Sequence, residues 1–135
     1  MSFSHPVHSL RNILLVDAVT CAAMGALLAF GSGPIGGLTA IPPALLFCAG
    51  LSLFPIAAFM AVVATRRVIR PAAARLVVVG NVLWVAGSAL LLASGWIAPN
   101  PLGVAFVAGQ ALAVAGLAWL EHAALGGARM ALRAG

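Results

Sequence analysis

The chain has 135 residues, 64% hydrophobic and 7% charged, with a mean hydropathy of +1.17. A water-solvated surface needs roughly a quarter of the residues charged, so a soluble globular domain is excluded. The net charge of +5 comes from seven arginines and no lysine, all placed at the ends of apolar blocks, which is the pattern of membrane topology and not of a nucleic-acid partner.

Four apolar blocks follow one another, each near the ~20 residues that a helix needs to cross ~30 Å of hydrocarbon. The first span is expected over about residues 11–31; it exceeds a signal-peptide core and lacks a small-x-small cleavage site, so it reads as a retained helix. It ends in the breaker-rich GSGPIGGLTAIPP. The second span, 43–65, starts at the Pro42–Pro43 pair, where a missing N–H is harmless. Pro55 predicts a kink within it, with Ser52 as donor to a freed carbonyl. A loop at 66–74 follows, in the segment TRRVIRPAAAR that carries Arg66, Arg67, Arg70 and Arg75. The third span, 75–96, turns at IAPNP into the fourth, 102–124, before a tail with Arg129 and Arg133. Ala105, Gly109 and Ala113 form a small-xxx-small run, and Trp96 and Trp119 suit the two interfaces.

The expected architecture is all-α: a single transmembrane domain over residues 1–135, built as an up-down-up-down four-transmembrane-helix bundle. Arg11, the four loop arginines and the two tail arginines fall on one side, and the connections 32–41 and 97–101 carry no charge. The positive-inside rule then puts both termini and the arginine loop in the cytoplasm, in a bacterial inner (plasma) membrane. The four loop arginines are assigned to topology and to lipid headgroups, where each basic residue gains roughly 1 kcal/mol from anionic lipid.

The two halves read as tandem helical hairpin repeats. LLFCAGLSL (45–53) matches VAFVAGQAL (104–112), pairing Gly50 with Gly109 and Leu53 with Leu112. LLAFG and LLASG align the other two spans and pair Asp17 with Asn81. Such copies would be parallel, related by an axis along the membrane normal.

Asp17 is the only acid well inside a span, and a carboxylate facing lipid is costly, so it should point into the bundle. Asn81 lies at the same depth, six residues beyond Arg75 as Asp17 is beyond Arg11. Asn81 and the Trp84 indole are the expected donors to Asp17, and Glu121 and His122, with Arg66 and Arg67 near, complete an intramembrane polar cluster. In one reading Asp17 is a structural pin; in the other it is the titratable site of a proton-coupled transporter. Gln110 is read as an interhelical hydrogen-bonding residue. Cys21 and Cys48 read as small hydrophobes, the His5–His8 spacing lacks further metal ligands, and no catalytic constellation, metal or cofactor is expected.

Through LLVDAV, ATRR, NVLWVAGSALLL and GWIAPNPLGVAFVAGQALAV, the chain resembles small four-span bacterial integral membrane proteins that carry no assigned function. Small multidrug transporters share four short spans and an acid in the first; this chain departs from them in its one-sided charge and in Asp where they have Glu. The expected function is therefore a non-enzymatic accessory or scaffold subunit acting through helix packing, in contact with the lipid bilayer and with a homo-oligomer or larger membrane complex. The alternatives are a small proton-coupled transporter or channel using the cluster around Asp17, and a binder of lipid or quinone in a groove opened by Pro55.

The topology is tested in a background with Cys21 and Cys48 changed to Ala. Pro99→Cys should react with an impermeant maleimide in intact cells, and Val68→Cys only after permeabilisation; labelling of position 68 from outside overturns the orientation.

Overall fold

The computed structural model describes residues 6–134, with the side chains of residues 9–127 and of Met130. The proposed His5–His8 spacing and the side chains of Arg129 and Arg133 fall outside the described residues. The secondary structure is helical: α1 (Pro6–Phe30), α2 (Ser32–Thr39), α3 (Pro43–Thr65), α4 (Pro71–Ser94) and α5 (Pro101–Ala134). The four long helices are each apolar enough to cross a membrane, and the chain is a multi-pass membrane protein. Their exteriors carry large apolar side chains, with Leu90 69% and Leu112 73% exposed. Surface of that kind is solvated by lipid and not by water.

Proline sets the start of three long helices, since its missing N–H belongs to the first turn, where no partner exists. Pro43, Pro71 and Pro101 are each the first helical residue. Pro71 thus opens α4 instead of lying in the connection, and the Ala-rich stretch after it continues the helix, which shortens the expected loop of 66–74 to residues 66–70. At α5, Asn100 is the cap: its Oδ1 accepts the Gly103 N–H at 2.8 Å. Gly95 ends α4 with φ 76°, the left-handed conformation that glycine adopts without strain. Past residue 124, α5 runs on to Ala134.

The breaker-rich segment after α1 forms α2 instead of an open loop. Pro34 sits in the first turn, where it is tolerated, and Gly36 lets the helix lie against the start of α3. A Cβ at Gly36 would come within 2.8 Å of Pro43 and 2.9 Å of the Ile41 carbonyl. In α3 the helix continues through Pro55, and the Ser52 hydroxyl donates to the Ala49 carbonyl at 2.7 Å, not to the carbonyl that Pro55 leaves free.

α1 packs most extensively on α3, α4 packs on α5, and α1 also packs on α5. α3 and α4 barely touch, and α1 and α4 are diagonal partners without backbone approach. The four spans therefore form an open ring whose gap lies between α3 and α4. Two apolar cores fill its closed side: one toward the arginine end, around Leu14, Met60 and Ala64, and one toward the charge-free end, around Leu28, Leu46 and Leu53. At the charge-free end Asn100 also donates to the Leu38 carbonyl at 2.8 Å, and its N–H to that of Thr39 at 3.1 Å, which ties the IAPNP turn to α2.

Two of the spans, α1 and α3, meet closely at Gly25 and Gly50. A Cβ at Gly50 would stand 2.6 Å from the Ala29 nitrogen and 2.8 Å from the Gly25 carbonyl oxygen, so α1 and α3 meet backbone to backbone. Gly109, its counterpart in the repeat alignment, has nothing within 4 Å of a Cβ, and the small run of Ala105, Gly109 and Ala113 is exposed. Gly50→Ala should destabilise the protein by about 2 kcal/mol through overpacking, whereas Gly109→Ala should be neutral or slightly stabilising. Thermal unfolding of both variants in the same detergent checks the contrast, and equal effects would contradict the packing.

Candidate binding site

Three helices send polar side chains to one point in the arginine-side half of the bundle. Asp17 of α1 is 3% exposed, Asn81 of α4 6% and Glu121 of α5 0%. Asn81 Nδ2 donates to Asp17 Oδ2 at 2.7 Å and to Glu121 Oε2 at 3.0 Å. Both amide hydrogens are thereby used, one on each carboxylate. The two carboxyl groups thus face each other across the Asn81 amide. Glu121 Oε1 is buried with no hydrogen-bond partner. The group is thus rich in acceptors and poor in donors.

The other residues of the expected cluster are placed elsewhere. The Trp84 indole donates to Gln110 Oε1 at 2.8 Å and not to Asp17. Gln110 Nε2 in turn donates to Ser88 Oγ at 3.1 Å and to the Val107 carbonyl at 3.0 Å. This second polar network fastens α4 to α5 nearer the charge-free side. His122 is exposed, because it follows Glu121 by one residue and so lies about 100° further round the helix. Arg66, Arg67, Arg70 and Arg75 have exposed side chains around the α3–α4 connection and do not join the buried group. The ordering role there falls to Arg11, which in the sequence serves as a mark of topology and depth. Its Nη2 donates to the carbonyls of Arg66 at 2.9 Å and Arg67 at 3.3 Å, tying the start of α1 to the arginine loop.

The gap between α3 and α4 is a cleft that runs along both halves of the bundle. Its arginine-side part is a cavity of about 440 Å³ that reaches Asp17 and Asn81, with Pro55, Phe59, Leu76 and Leu117 among its apolar walls. A second cavity of about 430 Å³ continues it toward Leu46, Leu91 and Phe106. Met24, Gly80, Leu83, Trp84 and Gln110 line both and form the waist. A Cβ at Gly80 or Gly87 would meet nothing within 4 Å, so the missing side chains of α4 leave part of the space. Cys21 also lines the first cavity, while Cys48 is exposed, and neither is in a disulfide. Among the described residues no group of three or more His, Cys, Asp or Glu side chains is arranged to hold a metal ion.

Comparison with family models, curated proteins and solved structures finds no match to this chain.

The polar group has a direct test. Asn81→Ala removes the donor and leaves two buried carboxylates facing each other, which should destabilise the protein by about 3 kcal/mol. Adding Asp17→Asn and Glu121→Gln restores donors and removes charge, so the triple variant should regain more than half of that loss in thermal unfolding. An Asn81→Ala variant as stable as the parent would show that the amide does not hold the pair.

Proposed function

We propose that the protein is a non-enzymatic intramembrane binding protein whose cleft between α3 and α4 accepts a lipid-soluble molecule. The observation that carries this reading is the cleft itself. Cavities of about 440 and 430 Å³ lie in the range of small-molecule sites. The gap between α3 and α4 gives a chain or ring system entry to this space from the bilayer. Its largely apolar walls favour binding over conduction of a polar solute, which is the support for placing the transporter reading second.

The reading as an accessory or scaffold subunit draws on a different surface. Gly109 and Gly116 of α5 face open space, leaving room for another helix to approach from outside the ring. That contact would not involve the cleft.

Gly80→Leu separates the two readings, because it fills the waist of the cleft at a position with free space. Protein purified in mild detergent and extracted with organic solvent should release about one equivalent of a lipid-soluble molecule by mass spectrometry, and the variant should release several-fold less. Equal recovery from both would overturn the cleft reading and leave packing through α5.

A further inference from the structure

The donor and acceptor inventory of the cleft floor narrows the ligand class beyond "lipid-soluble". This step rests on the cleft reading above. Asn81 has spent both amide hydrogens on Asp17 and Glu121, so what it offers a ligand is its carbonyl oxygen. Asp17, bonded through Oδ2, offers Oδ1. Both residues line the cavity, while Glu121 stands behind them, fully buried and with Oε1 unpartnered. A ligand that arrives at this floor meets acceptors and negative charge. A quinone or an ester, which brings only acceptors, finds no donor there stronger than the Cys21 thiol. A neutral hydroxyl satisfies one acceptor and leaves the charge uncompensated.

Among the described side chains no arginine supplies that charge: Arg11 turns its Nη2 to the carbonyls of Arg66 and Arg67 and leaves Nε buried without a partner, and the side chains of the four loop arginines are exposed. The remaining occupant that matches is a cation with N–H groups and an apolar body. We propose that the cleft binds a lipid-soluble primary ammonium, its N–H groups seated on Asp17 and Asn81 and its hydrocarbon part lying between α3 and α4. Desolvating an ammonium is unfavourable by itself, and the oxygens of Asp17 and Asn81 offset it because they are held in place before the ligand arrives.

The test compares two probes of equal chain length in nanodiscs of neutral lipid at pH 7, where an alkyl amine is protonated as lysine is. Trp84 at the waist is the reporter, in a background carrying Trp96→Phe and Trp119→Phe. Dodecylamine should change its emission saturably and bind about tenfold or more tighter than dodecanol. Asp17→Glu should keep that preference, and Asp17→Asn should abolish it. Equal affinity for amine and alcohol in the parent protein overturns the ammonium assignment, and does so whether or not Asp17→Asn folds well. If Gly80→Leu then weakens both probes alike, the cleft reading survives alone; if neither probe binds the parent at all, both readings fail.

Discussion

The bundle depends on one amide nitrogen. α1 and α4 lie across the ring from each other without backbone contact, and Asn81 Nδ2 reaches the Asp17 carboxylate across that diagonal while also holding Glu121 of α5. In hydrocarbon there is no water to take over such bonds, so a carboxylate that loses its donor has nothing to replace it. Individual interhelical hydrogen bonds in membranes contribute about 0.6 to 2 kcal/mol. A single donor shared by two acids is a stronger constraint than that figure conveys, because its loss leaves two buried carboxyl groups without it at once. The same arrangement fixes the rotation of three helices about their axes, which apolar packing between uniformly apolar surfaces specifies weakly.

That weakness explains what could be read from the sequence. The spans were legible because length and composition decide them, and the proline at the start of α3 because its chemistry is positional. The shared depth of Asp17 and Asn81 was legible from their equal spacing from Arg11 and Arg75. Facing was not, since helices that are apolar all round carry no stripe to mark the inner side. Trp84 was therefore assigned to Asp17 when it bonds Gln110, and His122 was grouped with Glu121 although only the acid turns inward. The segment GSGPIGGLT was read by its breakers, whereas its glycines serve the close approach of α2 to the start of α3 and its proline sits in a permitted turn.

The repeat alignment gives the cleft a geometric origin. It equates α1 with α4 and α3 with α5, so an axis that brings α1 against α5 should equally bring α4 against α3. The first contact is present and the second is nearly missing. Gly50 and Leu53 are buried while their counterparts Gly109 and Leu112 are exposed, which is the same asymmetry seen from the other hairpin. The bond from Trp84 to Gln110 holds α4 on α5, and where Asp17 aligns with Asn81, Trp84 takes the place of Thr20. The open side of the ring thus lies where the repeat alignment would place a counterpart of the α1–α5 contact.

The length of α5 has a mechanical corollary. Its 34 residues amount to about 51 Å of straight rod at 1.5 Å per residue, against roughly 45 Å for a whole bilayer with its headgroups. Only an inclination near 30° would bring the rod within that thickness. An upright α5 instead lifts its last turns clear of the lipid, as a mast standing off the membrane.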